Sequence, residues 1–357
     1  MESLQDGGQQ SGTAECEQPL RGLSHGAPAD GSKQPVTVKV QRRAEVKNVP
    51  DASCANESNV RQKAQRPAKV QKTDEGEEDS RTRRARLVRV AQETKSIIPT
   101  ILTVTPNAPP DGYKYSLDQL PPLDQKKCPN VRTLVKVVEG DTFNTAINLA
   151  NAAQFLDHKD TEPVCVLNMA NADHIGGGWE HGAMAQEEEL CFRSSLSFTL
   201  KKQFYPIGSL SAIYSPTIVV FREDTRKRHR WMDLGKPEWL PIVGVVSIAA
   251  EVAPAVVIDG SKKYRYANAE DRDLIKDKMR LVLRIAATHG HRRLVLGASG
   301  CGAFMNPKHD VADCWLEVMK EKEFKGWFEA IVFGIVDPGL RTGNLSIFRE
   351  CFDGLKL

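Results

Sequence analysis

The sequence, 357 residues long, lacks the features that would assign it to a class directly. Its eight cysteines are scattered and include no C-x-x-C pair, so the residues predict no metal site. Several of these cysteines lie in apolar runs, which is typical of reduced, buried thiols without disulfide partners in an intracellular protein. No window approaches the ~20 apolar residues that cross a bilayer, and the N-terminus has no signal-peptide pattern. We therefore expect an intracellular protein, nuclear or cytoplasmic or both, with no membrane partner.

The overall charge does not identify a partner. The 49 Lys and Arg residues against 46 Asp and Glu residues give a net charge of only +3. Hydrophobic residues make up 40% of the chain, as in ordinary globular proteins. The length allows one large domain with a tail, or two modest domains.

The first 80 residues have a composition that predicts disorder. They are rich in Gln, Gly, Ser, Asp, Glu and Lys, and they cannot bury enough apolar surface to offset the entropy of ordering. Two basic segments, KVQRRAEVK and RTRRAR, fit a nuclear import signal or polyanion contacts, and fit a solvated tail without a partner equally well. We therefore divide the chain into a polar, basic tail, 1–80, and a folded domain, 81–357.

Beyond the tail, apolar segments alternate between helix and strand patterns. A first helix is predicted from residue 83, with Pro99 expected to end it and a proline-rich connector following over 99–130. Later strands of five to eight apolar residues alternate with helices, which predicts an α/β sheet covered on both faces. The predicted strands lie within 132–138, 163–170, 217–221, 242–250, 292–298 and 329–336. The predicted helices lie within 141–156, with Asp141 as N-cap, and within 183–198, 269–290, 309–322 and 344–352.

Two basic, aromatic insertions, 222–239 and 259–270, interrupt this alternation. Each could contact an anionic substrate or polymer. Charged loops are more often solvated surface, and that interpretation is slightly favoured for both.

Two of the predicted strands end in glycine-rich loops, VLNMANADHIGGGW and VLGASGCGAF. Ligands of open α/β sheets bind outside the carboxyl ends of the strands, where glycines let backbone N–H groups approach a phosphate. Two such loops could hold a diphosphate from both sides. Each alone is equally a tight strand-to-helix turn, and no Gly-Lys-Ser/Thr follows, so a Walker-type nucleotide site is not predicted.

Three consecutive glutamates, Glu187, Glu188 and Glu189, follow the triple glycine at the start of a predicted helix. Successive helical residues differ by about 100°, so at least one carboxylate should face the glycine loop. Acids also simply suit the first turn of a helix because of its dipole. Hydrolysis of a glycosidic bond needs an acid and a base, and one carboxylic acid can serve as both if burial raises its pKa.

The triple glycine, a spacer of seven residues and Gln186-Glu187-Glu188 resemble the GGG–QEE signature of poly(ADP-ribose) glycohydrolases. The wider string LNMANADHIGGGWEHGAMAQEEELCFRSSL resembles the microbial-type branch, as do RLVRVAQET, LVLGASGCGAF and VFGIVDP. The resemblance covers about residues 81–355. It implies a macrodomain-like, three-layer α/β/α sandwich with a mixed sheet.

The resemblance also implies an activity and a site. The activity is hydrolysis, from the chain end (exo), of ribose–ribose O-glycosidic bonds in poly(ADP-ribose) or on ADP-ribosylated proteins, releasing ADP-ribose without a cofactor. Reversal of ADP-ribosylation in the nucleus, in the DNA damage response, follows from the same family. Glu188 would protonate the leaving oxygen and then activate water, and Glu187 would hold ribose hydroxyls. The implied ligand-binding residues are Asn171 for the distal ribose, Gln186 supporting the glutamates, Gly176, Gly177 and Gly178 along the diphosphate and scissile ribose, Gly300, Cys301, Gly302 and Ala303 around the diphosphate, and Phe304 packing on the ligand.

Some positions depart from the family pattern or have no role in it. Met305 stands where a glycine is common, which would tighten the loop, and Ser299 replaces a frequent tryptophan. Glu189 has no family role and is expected in solvent. Two alternatives stay open: a non-catalytic ADP-ribose-binding macrodomain, which would not need Glu188, and a hydrolase of mono-ADP-ribose on protein or nucleic acid.

Overall fold

A computed structural model describes residues 78–153, 162–337 and 342–357. The predicted disorder of residues 1–80 falls almost wholly outside them, so the tail and the domain division stay predictions. The segment RTRRAR, however, does not belong to a tail. It lies in the first helix, α1, which spans Ser80–Val104.

Seven strands form one mixed sheet in the order β1-β4-β5-β3-β8-β9-β2, and a separate hairpin pairs β6 with β7. β5, β3, β8, β9 and β2 run parallel, whereas β4 is antiparallel to both β1 and β5. This confirms the predicted α/β class with a mixed sheet. The strands are β1 Tyr113–Ser116, β2 Leu134–Glu139, β3 Cys165–Met169, β4 Ser211–Val219, β5 Ile242–Ile248, β6 Val256–Ile258, β7 Tyr264–Tyr266, β8 Arg293–Leu296 and β9 Ala330–Ile335.

Helices cover both faces of the sheet, as the unbroken apolar strands predict. In β3 and the residue before it, Val164 and Val166 pack on the face that carries α1, α2 and α3, while Cys165 and Leu167 pack against α5, α6 and α7. Within the described part of the chain, no helix is both long and apolar enough to span a membrane. The helices after α1 are α2 Thr142–Ala153, α3 Gln186–Arg193, α4 Leu196–Thr199, α5 Ala269–Thr288, α6 Lys308–Met319 and α7 Asn344–Phe352.

The prediction that Pro99 ends the first helix is wrong, because α1 continues through Pro99 to Val104. Proline removes one backbone donor and disfavours a helix interior. On either side of it, Ile98 and Ile101 are buried against Val219 and Phe221, so packing of the last turns outweighs this local penalty.

Other helix and strand boundaries differ from the predicted ones where the sequence pattern is short or irregular. The connector 99–130 contains β1, a four-residue edge strand, and the insertion 259–270 contains β7. The helix predicted over 183–198 is two helices, because Ser194 adopts an extended conformation between them. The two predicted helix ends are confirmed: Asp141 accepts the N–H of Asn144 at the start of α2, and Gly290 follows α5 with a φ of 82°.

Candidate active site

The triple glycine lies in the loop that follows β3, with six residues between it and the strand, and the second glycine loop begins directly after β8. Because β3 and β8 are parallel neighbours, both loops emerge at one edge of the sheet, as predicted. Gly176 and Gly177 have φ values of 67° and 59°, in the left-handed region that favours glycine. A methyl group on Gly177 would lie 2.5 Å from Oε1 of Glu188 and 3.1 Å from Oε2 of Glu187. The glycines therefore make room for the two carboxyl groups.

The Glu188 carboxylate is buried against this turn. Its Oε1 accepts the N–H of Gly178 and its Oε2 accepts the N–H of Ala185, both at 2.9 Å. The side chain is only 8% exposed. Two backbone donors thus hold one acidic group against the glycine turn, which confirms that a glutamate faces it.

Glu187 is buried more deeply, at 3% exposure. Its Oε2 accepts the N–H of Asn171 at 2.7 Å, and its Oε1 accepts Nδ2 of Asn168 at 3.2 Å. Burial raises the pKa of Glu187 to about 8, and the nearby charge of Glu188 acts in the same direction. A carboxyl group with this pKa is mostly protonated at neutral pH.

The side chains of Gln186 and Asn171 form hydrogen bonds with nearby backbone groups. The Gln186 amide accepts the N–H of Met169 at 2.9 Å and donates to the carbonyl of Leu167 at 2.7 Å, so it ties the start of α3 to β3. Oδ1 of Asn171 accepts the N–H groups of Asp173 and His174 and closes the turn that leads to the glycines. The predicted support of the glutamates by Gln186 is consistent with these contacts.

The second glycine loop, 297–306, is folded around Asn306. Nδ2 of Asn306 donates to the carbonyl of Glu251 at 2.7 Å, and a methyl group on Gly300 would lie 2.5 Å from the same nitrogen. By contrast, a methyl group added to Gly302 would have no other atom within 4 Å. Met305 is 64% exposed and has a φ of 54°, which is the conformation that favours the glycine expected there.

A cleft of about 400 Å³ opens beside the two loops. Gly300, Gly302, Ala303 and Phe304 line it, and so do Met184, Ala185 and Gln186 at the start of α3. Gly176–Gly178, Asn171, Glu187 and Glu188 are not among the lining residues, and Glu188 is joined to the lining by its hydrogen bond from the N–H of Ala185. Cys301 lines a different cavity, beside Met305.

The expectation that Glu189 is solvated is wrong. The side chain is 9% exposed, its Oε2 lies 2.9 Å from Nε2 of His229, and its Oε1 accepts the N–H of Thr225 at 3.0 Å. The favoured interpretation of 222–239 as solvated surface is right for most of the insertion, whose residues are largely exposed, and wrong for three residues within it. Arg222, Asp224 and His229 are buried, and Thr225 and Arg226 line the cleft. A pattern of alternating charges gives no sign that one histidine within it is buried.

A polar network missed in the sequence forms another wall of the cleft. Arg193 is fully buried, forms an ion pair with Asp141 and donates to Oδ1 of Asn144 at 2.8 Å. Asn144 in turn donates to Asp224 at 2.7 Å, and both aspartates line the cleft. Burial raises the pKa of Asp141. The sequence indicated Asp141 only as a helix cap, because the partners on α3 and the insertion are distant in the chain.

A macrodomain-like α/β/α domain that holds a buried glutamate pair against a glycine turn, beside a cleft at the strand ends, has the groups that acid–base hydrolysis requires. Residues 84–223 match the family model described as microbial-type PARG, catalytic domain, where PARG is poly(ADP-ribose) glycohydrolase. This part of the chain is therefore similar to a microbial-type PARG catalytic domain, as the resemblance in the sequence implies. No curated protein matches the chain.

Solved structures agree with this assignment. The chain is 27% identical to PARG from Thermomonospora curvata, with a TM-score of 0.62, covering 75% of this chain and 100% of that one. The same bacterial enzyme bound to the inhibitor ADP-HPD matches at 26% identity and a TM-score of 0.59, over 75% of this chain and 99% of that one. PARG from Deinococcus radiodurans in complex with ADP-ribose matches at 26% identity and a TM-score of 0.55, over 68% of this chain and 95% of that one.

Proposed function

We propose that this protein hydrolyses the ribose–ribose O-glycosidic bonds of poly(ADP-ribose) and releases ADP-ribose. The observation that carries the proposal is the contact between the buried Glu188 carboxylate and the turn 176–178, beside a cleft walled by a second glycine loop. The cleft volume of about 400 Å³ falls within the range of small-molecule sites. The similar structures include complexes with ADP-ribose and with ADP-HPD.

Glu188 is the proposed general acid and base. Its protonated carboxyl group donates to the leaving ribose oxygen, and the resulting carboxylate then removes a proton from the attacking water. The N–H groups of Gly178 and Ala185 hold the side chain in one position through both steps. The diphosphate of the substrate lies near a sugar that becomes cationic in the transition state, and so stabilises it.

Glu187 is the proposed ribose ligand. Because burial raises its pKa to about 8, its carboxyl group is mostly protonated at neutral pH and can donate a hydrogen bond to a ribose hydroxyl. Asn171 is proposed to contact the distal ribose, and Gln186 to position the glutamates through β3.

The two glycine loops are the proposed diphosphate ligands. The backbone of Gly176–Gly178 on one side, and of Gly300–Ala303 on the other, can approach the phosphates without interference from side chains. The N–H groups of Gly177 and Gly178 already donate to the carbonyl of His174 and to Glu188, so these two glycines contribute close approach rather than donors. Phe304, which lines the cleft, is proposed to pack against the ligand. Cys301 contributes only its backbone in this proposal, because its side chain lines the neighbouring cavity.

Product analysis tests the reaction and its direction. We propose exo cleavage, so digestion of polymer on an automodified protein should yield ADP-ribose monomers, whereas oligomers would indicate internal cleavage. A parallel assay on singly modified protein separates the polymer hydrolase from a mono-ADP-ribose hydrolase. Binding of polymer without any release of ADP-ribose would contradict the proposed activity and favour a binding module.

A nuclear role in reversing ADP-ribosylation of proteins after DNA damage is proposed from the sequence. It rests on the basic segment KVQRRAEVK, since RTRRAR lies within α1. Replacing Arg42 and Arg43 by alanine in a fluorescent fusion should reduce nuclear accumulation. Unchanged accumulation would contradict this import signal.

A further inference from the structure

The first turns of α1 carry an unusual concentration of positive charge. Five arginines lie within the first ten helical residues, and the first turn contains no acid. Cations near a helix N-terminus oppose the helix dipole, so this placement does not stabilise the helix. A placement of charge that does not favour the local structure is expected at positions where function requires it. The five are Arg81, Arg83, Arg84, Arg86 and Arg89.

The insertion 222–239 presents a second set of cations. Arg226, Lys227, Arg228 and Arg230 are all exposed. Arg228 and the buried His229 have φ values of 56° and 55°, a left-handed conformation that is costly for two consecutive non-glycine residues. The contacts of Glu189 with His229 and with Thr225 hold the backbone in this shape.

The two sets form one surface at the edge of the cleft. Oε1 of Glu78 lies 3.0 Å from Arg86 and 3.3 Å from Arg228, so the start of α1 and the insertion meet there. Arg226 lines the cleft itself. Arg84 donates to the carbonyl of His181 at 2.9 Å, in the turn that follows the glycines. Positive charge therefore extends outward from the cleft along α1.

We propose that this surface, Arg81–Arg89 with Arg226–Arg230, binds the ADP-ribose units of the polymer that lie outside the cleft. The inference rests on the proposed function. Each ADP-ribose unit carries a diphosphate, so a polymer presents regularly spaced negative charges that match an extended row of arginines and lysines. A single ADP-ribose in the cleft does not need this row. Because of this surface, the affinity of the protein for poly(ADP-ribose) increases with polymer length and decreases with salt concentration.

The test compares two charge-reversal variants of the full chain. The surface variant combines Arg81→Glu, Arg89→Glu and Arg230→Glu, whose side chains have no ion-pair partner among the described residues. The control combines Lys320→Glu, Lys322→Glu and Lys325→Glu, three lysines between α6 and β9, at the amino end of the parallel strands, opposite the cleft. Both are made with Glu188→Gln, so that binding is measured without turnover, and alone, so that turnover is measured.

The surface variant should bind long poly(ADP-ribose) at least ~10-fold more weakly, while its affinity for free ADP-ribose stays within about twofold. The slope of log K against log salt should shrink by roughly 0.7 for each phosphate that the variant no longer neutralises, as for single-stranded polyanions. The control variant should bind both ligands like the parent. Equal polymer affinity in the surface variant and the parent, or an equal decrease in the control, would overturn the inference.

Two further measurements distinguish recognition of the polymer from general polyanion binding and from a failure of the active site. Single-stranded RNA of matched charge that binds the parent as tightly as the polymer would overturn the assignment to poly(ADP-ribose). Turnover of an ADP-ribose dimer should be unchanged in the surface variant, because the dimer does not extend along the surface. If the wild type releases nothing even from the dimer, the proposed function fails, whatever the result for polymer affinity.

Discussion

Oε1 of Glu188 accepts the backbone N–H of Gly178 at 2.9 Å, although ten residues separate them in the chain. The triple glycine and the glutamates are thus one structural unit. The turn supplies a donor to the carboxylate, and the missing side chain of Gly177 supplies the space that the carboxylate occupies. Features that are unfavourable separately, three flexible residues and three adjacent acids, become complementary when they face each other.

Substitution of Gly177 by alanine tests this complementarity. The new methyl group would lie 2.5 Å from Oε1 of Glu188, and the residue would keep a φ of 59°. We expect a loss of about 1–3 kcal/mol of unfolding free energy from the strain, measured by urea denaturation, together with a loss of turnover as Glu188 moves. Gly302→Ala is the matched control for stability, since no atom lies within 4 Å of its added methyl group. Equal stability of wild type and Gly177→Ala would contradict the packing argument.

The raised pKa of Glu187 predicts a pH-dependent stability. Between the ordinary glutamate pKa of 4.5 and the folded value of about 8, the folded state holds a proton that the unfolded state has lost. The contribution of Glu187 is therefore fully present below about pH 4.5 and is lost as the pH rises towards 8, a change on the order of a few kcal/mol. Glu187→Gln cannot titrate, so its melting temperature should exceed that of the wild type by a margin that grows from pH 5 to about pH 8.

Glu317 provides a control of opposite sign for this measurement. A hydrogen bond from Arg272 lowers the pKa of Glu317, so its contribution is present at neutral pH and is lost as the pH falls through the folded pKa. Glu317→Gln should therefore reduce stability at neutral pH and have less effect in acid. A melting-temperature margin for Glu187→Gln that stays constant with pH would show that the Glu187 carboxyl group does not titrate as described.

The third glutamate holds the basic insertion in place. Glu189→Ala removes the acceptor for the N–H of Thr225 and the partner of His229. We expect a loss of about 1–3 kcal/mol in unfolding free energy and faster tryptic cleavage at Arg226–Arg230, because a buried donor is left without a partner. Glu189→Gln retains an acceptor oxygen and should be cleaved more slowly than the alanine variant. Wild-type resistance to trypsin in Glu189→Ala would show that other residues hold the insertion.

Met305 carries a conformational strain that glycine would relieve. Its φ of 54° and its 64% exposure mean that the side chain gains little from packing. Met305→Gly should raise the unfolding free energy by up to about 1 kcal/mol, since glycine adopts the left-handed region without steric cost. Met184→Gly is a suitable comparison, because Met184 is half exposed and is not among the positive-φ residues. A destabilised Met305→Gly variant would mean that the side chain packs more than its exposure suggests.

The order of strands and helices could be predicted because it depends on local periodicity. The strand over β3 and the helix over α7 follow directly from their apolar patterns. The errors occurred where distant contacts override local preference. The passage of α1 through Pro99 depends on packing against Val219 and Phe221, which no local pattern near Pro99 reveals.

The site could be predicted only in part, for a related reason. The spacing of Gly177 and Glu188 placed both in one motif, and they are in contact. The network of Asp141, Arg193 and Asp224 was missed, because it joins three segments of the chain that meet only after folding. Glu189 was expected in solvent because it has no family role, and its partner, His229, lies in an insertion with the composition of a surface loop.

The central claim is that the Glu188 carboxyl group transfers the proton that breaks the ribose–ribose bond. The most direct measurement is the rate of ADP-ribose release from purified poly(ADP-ribose), for the wild type and for Glu188→Gln, alongside the affinity of each for ADP-ribose. We expect release by the wild type, a rate at least ~10²-fold lower in the variant, and an affinity for ADP-ribose that is largely kept. Release by Glu188→Gln at the wild-type rate would contradict the central claim and assign the proton transfer to another group.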